Sequence, residues 1–233
     1  MALQKGARMK SKEELKQMHD EEYVAAFKRH STSRLKKILD YIQMNSGLDI
    51  VDYACGNALL MELVSPTAKS YTGVDFSEPF IREANLKKQK LGLNNANLLC
   101  SDISDFCQNF QESFDAAFAM DFSEHVYDDD WLNILKDIRK TLRPGGKLYI
   151  HTPNAEFFIE IMKSRNFILK QFPEHIAVRS PQENSDLLER AGYKVSRLWL
   201  IPHYNAMKYV HFLSYIPIIG KLFKARILIE ASA

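Results

Sequence analysis

The sequence predicts an α/β fold, a doubly wound and mostly parallel sheet of seven strands with helices on both faces. Three observations predict it. Short apolar runs alternate with amphipathic stretches from Leu48 to Thr152, as successive strand and helix units require. The first of these runs, Leu48 to Tyr53, passes through small residues at Ala54, Gly56 and Ala58 into a helix, so backbone there can approach a ligand closely. The next, Ser70 to Asp75, ends in an acid about 23 residues after Asp52, close to the interval expected for a carboxylate on ribose hydroxyls.

Composition narrows the classes. A chain of 233 residues suits one domain with a substantial core. Its 31 basic and 29 acidic residues leave a formal charge of +2, which is no footprint for a nucleic-acid partner. Cys55, Cys100 and Cys107 form no C-x-x-C pair, and no apolar run is long enough for a signal segment or a span, so a cytoplasmic setting is expected. Nothing in the sequence fixes an oligomeric state.

The elements follow in order. Residues 1–10 read as a tail, and residues 11–233 as a single domain. Within it, 11–45 form a helical cover: Ser11 and Glu14 make a capping box, and a second helix from Ser33 to Gln43 aligns Leu35, Ile38, Leu39 and Ile42. Residues 46–154 form the core. After the opening strand comes a helix from Leu59 to Val64, and after Asp75 a helix from Ser77 to Leu91 that Gly92 can close in the left-handed conformation. Asn97 to Cys100 is the third strand. Asp102 caps the helix running to Phe110.

Phe114 to Met120 is the fourth strand, and Asp121 to Val126 leaves its carboxyl end, where ligands sit in such sheets. A helix capped by Asp130 follows, with Trp131, Ile134, Leu135, Ile138 and Leu142 on one stripe. Arg143-Pro144-Gly145-Gly146 stops it, and Lys147 to Thr152 is the fifth strand.

Residues 155–233 complete the domain. A helix from Ala155 to Arg165 is followed by a capping box at Ser180 and Glu183, with Pro181 opening a helix that ends at Gly192. Tyr193 to Ile201 and Ala225 to Ala231 pair as a hairpin. Between them lies an apolar insertion at about 205–223, with Lys208, Lys221 and Lys224 at its ends. Burial against the domain, a cover over the substrate and peripheral membrane contact through 207–224 are the open alternatives.

Asp52-Tyr53-Ala54-Cys55-Gly56-Asn57-Ala58 resembles the first motif of class I S-adenosylmethionine-dependent methyltransferases, apolar-apolar-Asp-x-Gly-x-Gly-x-Gly, with alanine at two of the three glycine places. The Leu142-Arg143-Pro144-Gly145-Gly146 turn is similar to one that this class commonly carries before strand five. The resemblance spans about residues 48–154. It implies a Rossmann-like sheet of order 3-2-1-4-5-7-6 whose last strand is antiparallel. It also implies S-adenosylmethionine as cofactor and S-adenosylhomocysteine as product. Asp52, Tyr53, Ala54 and Gly56 would then shape the donor pocket, Asp75 would take the ribose hydroxyls and Phe76 the base. Asp102 would accept from the adenine amino group with Ile103 beside the ring, and Met120 would border the cofactor. N-terminal helices would lie over this face, where Tyr23 and His30 line a pocket or stay partly exposed.

Asp121-x-x-Glu124-His125 resembles the Glu-x-x-Glu-His motif of ubiquinone-biosynthesis O-methyltransferases and of small-RNA 3′-terminal 2′-O-methyltransferases, where acids and histidine hold a divalent metal. Aspartate replaces glutamate at its first position and shortens that ligand's reach. Asp121, Glu124, His125 and, as fourth ligand, His175 are the metal candidates, for a magnesium- or manganese-like ion. Glu124 and His125 are also the catalytic candidates. For His125 three roles stand side by side: metal ligand, metal-free base or substrate hydrogen-bonding group, and helix cap. His151, Arg179 and Tyr204 are expected to be packed or solvated. The function implied is O-methylation, with N-methylation second to it, of a small or lipid-linked acceptor. An RNA 3′-end methyltransferase and a non-catalytic S-adenosylmethionine-binding module are the alternatives.

Overall fold

Alternate side chains of the central strands enter two separate cores, one on each face of the sheet. In a computed structural model that describes residues 32–165, 167, 169–172, 175–204 and 206–233, helix α1 (Ser33–Leu39) precedes β1 (Asp49–Tyr53). Then come α2 (Leu59–Val64), β2 (Ser70–Asp75), α3 (Glu78–Leu91), β3 (Ala96–Cys100), α4 (Ile103–Gln108) and β4 (Phe114–Met120). A 3-10 helix (Ser123–His125), α5 (Asp128–Thr141), β5 (Leu142–Pro153), α6 (Phe158–Ser164), α7 (Pro181–Arg190) and β6 (Lys194–Ile201) follow. Two further 3-10 helices, Ala206–Tyr215 and Gly220–Phe223, lead to β7 (Arg226–Ser232). The tail, the capping box at Ser11, Tyr23, His30, Pro173 and Glu174 lie outside the described residues.

The sheet runs β3-β2-β1-β4-β5-β7-β6, parallel except for β7, which is antiparallel to both neighbours. One face packs Val51, Tyr53, Leu148, Ile150, Ile227 and Ile229 against Trp131, Leu135 and Ile138 of α5. The other packs Ile50, Tyr71, Phe118, Tyr149 and Leu228 against Ile38 of α1 and Leu60 and Met61 of α2. Burial on both faces is what makes these strands read as nearly continuous apolar runs. The strand order turns at β1 and β4, so their carboxyl ends open the crevice in which doubly wound sheets bind ligands.

Several boundaries differ from the sequence reading. Helix α5 begins at Asp128 rather than after a cap at Asp130, because Tyr127 is the extended residue before it; Asp128, Asp129 and Asp130 fill the first turn and complement the helix dipole. Leu142 belongs to β5, and the Pro-Gly-Gly run is a bulge within that strand: Phe114 pairs Leu142, and the next pairing joins Ala116 to Lys147. Gly145 takes φ 78°, and a Cβ on Gly146 would fall 2.9 Å from the Arg143 carbonyl oxygen. Arg143 ion-pairs with Asp49 and Asp115 at 3.0 and 2.7 Å, tying β1, β4 and β5 at the edge away from the ligand crevice. Helix α6 starts late because Asn154 Oδ1 takes the Glu156 N–H and its amide donates to the Lys224 carbonyl.

The side chains of Asp52 and Tyr53, both expected at the donor pocket, face the two cores. The Tyr53 hydroxyl lies 2.8 Å from Thr141 Oγ1 of α5. On the other face, the Tyr71 hydroxyl donates to Asp52 Oδ2 at 2.7 Å, and Asp52 is almost wholly buried. Burial pushes the Asp52 carboxyl from 3.8 up to about 7; the Tyr71 bond opposes this and the Asp75 charge adds to it. The folded state therefore holds this proton more tightly than the unfolded chain. Stability should fall as pH rises from about 4 to about 7, by roughly 4 kcal/mol at most. Urea denaturation across this range should show the decline in the native protein and its flattening in Asp52→Asn; equal slopes would contradict the assignment.

Candidate active site

Beyond Tyr53 the chain turns through Ala54, Gly56 and Ala58 at φ 53°, 55° and 52°. The left-handed region disfavours L-residues by roughly 1–2 kcal/mol each, so two alanines are held there by their surroundings. The Cys55 N–H donates to the Val74 carbonyl at 3.1 Å and the Ala58 N–H to the Cys55 carbonyl at 2.9 Å. Asp75, ending β2, accepts the Gly56 N–H on Oδ2 at 2.9 Å and the Ser77 N–H on Oδ1 at 2.8 Å. These bonds use two of the roughly four acceptor positions of a carboxylate. Gly73 makes the close approach possible, since a Cβ there would come 2.9 Å from Cys55 Sγ and 2.7 Å from Leu98 Cδ2.

The neighbouring strand end joins this turn. The Ser101 N–H donates to the Asp75 carbonyl at 3.0 Å, and Cys100 Sγ lies 3.4 Å from the Phe76 carbonyl. Asp102 caps α4 by accepting the Ser104 N–H at 3.0 Å. Ile103 is part of the buried core, and Met120 is half-buried at the end of β4. Ala54, Gly56, Asp75, Phe76 and Asp102 thus meet at the carboxyl edge, whereas the side chains of Asp52 and Tyr53 do not. A turn of small left-handed residues with an acid at the adjoining strand end is the cradle a nucleoside-bearing donor needs.

Asp121 takes no part in the expected metal cluster. At φ 52°, its N–H donates to the His151 carbonyl at 2.8 Å, and its carboxylate turns to Arg34 Nη2 (2.6 Å), His151 Nδ1 (2.9 Å) and Arg226 Nη1 (3.4 Å). Burial opposes its ionisation, but His151, Arg34 and Arg226 outweigh burial and hold it well below the usual carboxylate range. His151 is wholly buried, and burial lowers its pKa despite the Asp121 charge. Its Nδ1 lies 2.9 Å from Asp121 Oδ1, and its Nε2 is hydrogen-bonded to the Tyr204 hydroxyl 2.8 Å away. Arg34 and Arg226 are the partners the sequence reading lacked.

Glu124, His125 and His175 do come together: one ligand atom from each lies within 4.8 Å of the others, the one such group among the described residues. The two imidazole rings are nearly perpendicular with centroids 5.1 Å apart. Glu124 is buried, and its Oε2 accepts from Thr152 Oγ1 at 3.1 Å. Burial first, then the Asp121 charge, pushes the Glu124 carboxyl up to about 8. Backbone and a buried arginine fix the loops. The Ala177 N–H donates to the Glu124 carbonyl at 3.0 Å. Arg179 donates to the carbonyls of Ser123 and Val126, both at 2.6 Å, and to Asp128 at 2.8 Å. One carboxylate and two imidazoles suit a divalent ion, and imidazole favours a transition-metal ion over magnesium, which prefers oxygen. A separate concavity of about 520 Å³, lined by Arg139, Lys140 and Arg143, lies at the opposite edge and contains none of these groups.

The family described as methyltransferase domain matches residues 22–198. The chain belongs to that family. It is an S-adenosylmethionine-dependent methyltransferase with the expected sheet order. It is 29% identical over 181 residues to a ubiquinone biosynthesis O-methyltransferase of Coxiella burnetii, covering 75% of each chain. A SAM-dependent methyltransferase of Archaeoglobus fulgidus shares the fold at TM-score 0.69 and 18% identity, over 92% of this chain and 100% of that one. The [4+2]-cyclase SpnF shares it at TM-score 0.65 and 15% identity, over 88% and 83%. Fold alone therefore does not specify the reaction.

The two left-handed alanines give a direct test of the methyltransferase turn. Replacing both, as Ala54→Gly with Ala58→Gly, should raise stability by about 1 kcal/mol in total, the relief of strain exceeding the added freedom of the unfolded chain. Urea denaturation measures this; a loss of stability would contradict the strain.

Proposed function

We propose that this methyltransferase acts on oxygen, transferring the methyl group of S-adenosylmethionine to a hydroxyl of a small or lipid-linked acceptor with help from a divalent ion. The observation that carries the reading is the convergence of Glu124 and His125, on the loop that follows β4, with His175 from the segment between α6 and α7. The Coxiella burnetii relative, named as a ubiquinone biosynthesis O-methyltransferase, supports oxygen as the target.

Each residue has a task in this reading. Ala54, Gly56 and Asp75, with Phe76 and Asp102 beside them, hold the donor; an activated sulfonium methyl asks chiefly for alignment with the attacking atom. Glu124, His125 and His175 would hold the ion, Thr152 orients Glu124, and Arg179 keeps the two loops together. The chemistry a bound ion supplies is Lewis-acid polarisation of the acceptor hydroxyl. When no ion is held there, a neutral His125 ring is the alternative base for the acceptor proton. Asp121 and the hydrogen-bonded pair His151 and Tyr204 form a wall beside this cluster. Arg34, Arg179 and Arg226 are engaged by carboxylates and carbonyls, which favours a small or lipid-linked acceptor over a polyphosphate chain such as RNA.

Labelled S-adenosylmethionine offered with a panel of soluble phenols and prenyl-linked phenols tests the reading. Transfer to a hydroxyl should be lost from chelator-treated protein and restored by manganese. His125→Ala and His175→Ala should each weaken manganese binding about tenfold or more by calorimetry. Full activity after chelation, or label found on nitrogen alone, would contradict it.

A further inference from the structure

We infer that the insertion between β6 and β7 docks on an anionic lipid surface. The inference rests on the surface of this segment and does not depend on the acceptor proposed above. In the 3-10 helix Ala206–Tyr215, side chains three residues apart eclipse one another, so Tyr209, Phe212 and Tyr215 form a single row. The same interval reaches Ile218 beyond the helix. These four are the most exposed large apolar residues described in the chain, at 71%, 67%, 82% and 94%. Ile216 and Ile219 add to the patch.

The row is presented by a built scaffold. Phe223 packs on Phe158 of α6 with ring centroids 5.5 Å apart, and His211 Nδ1 lies 3.4 Å from the Phe223 carbonyl. The Gly220 N–H donates to the Ile216 carbonyl at 2.9 Å, and Gly220 lies against the Ser214 backbone too tightly for any Cβ. Ile218 sits at φ 71°, a conformation β-branched residues rarely take, with its side chain turned to solvent. Such an arrangement spends stability on exposing apolar surface.

Charge identifies what covers it. No aspartate or glutamate occurs between Glu189 and Glu230, a stretch that carries Arg190, Lys194, Arg197, Lys208, Lys221, Lys224 and Arg226. Lys208 and Lys221 are exposed beside the row, and Lys208 Nζ lies 4.9 Å from the Tyr209 ring centre. Tyrosines and isoleucines flanked by lysines, in a stretch without an acid to repel phosphate, match the boundary between headgroups and acyl chains. Among the described residues no helix is long and apolar enough to cross a membrane, so the contact is interfacial.

Flotation of the full chain with vesicles tests this, comparing phosphatidylcholine alone with phosphatidylcholine carrying roughly one third phosphatidylglycerol. The protein should float with the anionic vesicles, about tenfold less with neutral ones, and less as salt rises. Phe212→Asp with Ile218→Asp should reduce flotation about tenfold or more while leaving the melting transition and S-adenosylhomocysteine binding unchanged. Lys208→Glu with Lys221→Glu should remove the preference for anionic vesicles. Protein that stays behind with both vesicle types, or floats equally well in both double variants, would overturn the inference. So would light scattering that shows a dimer which Phe212→Asp with Ile218→Asp converts to monomer, since a second copy would then be the occupant.

Discussion

One carboxylate joins the two strand ends on which the site is built. Asp75 takes the Gly56 N–H on one oxygen and the Ser77 N–H on the other, so the turn after β1 and the start of α3 share an anchor. Charge-assisted bonds of this kind are about twice as strong as neutral ones. Here they help keep Ala54 and Ala58 in a conformation alanine does not choose. The absent Cβ of Gly73 is the steric half of the same constraint, since it admits Cys55 against β2. Loss of either would let the turn relax away from the crevice.

Next to that anchor, the crevice divides its charged groups into two sets. Asp121 is satisfied by arginines and a histidine from three distant segments and acts as a structural pin between α1, β5 and β7. Glu124, three residues later, accepts a hydrogen bond from the Thr152 hydroxyl and has two imidazoles within reach. Two buried carboxylates so close would both be costly if ionised and uncompensated. The arginines settle the first, and a cation in the Glu124 cluster would settle the second. Arg179 makes this possible from behind by binding the carbonyls on either side of the His125 loop.

Much of this was legible in the sequence where local rules decide. Strand runs with apolar residues on both faces, the left-handed cap at Gly92 and the Ser180 capping box all have short-range causes, and they stand as expected. The small-residue turn and the acids at the ends of β2 and β3 were also visible. What the sequence did not show depended on direction or distance. Asp52 and Tyr53 end β1 just before the turn, and the alternation of strand side chains sends them into the two cores. The reach argument for Asp121 had no view of Arg34 and Arg226, the latter 105 residues away. The Pro-Gly-Gly run reads as a stop, yet pairing with β4 on both sides absorbs it as a bulge. For the apolar insertion, composition left burial, a substrate cover and membrane contact open; the three-residue period of its 3-10 helix sets Tyr209, Phe212 and Tyr215 outward.

The anchoring role of Asp75 links the fold to the donor site, and calorimetric titration with S-adenosylhomocysteine tests it most directly. The native protein should bind one equivalent, and Asp75→Asn, with its melting transition retained, should bind about a hundredfold more weakly. Native affinity in a folded Asp75→Asn variant would contradict it.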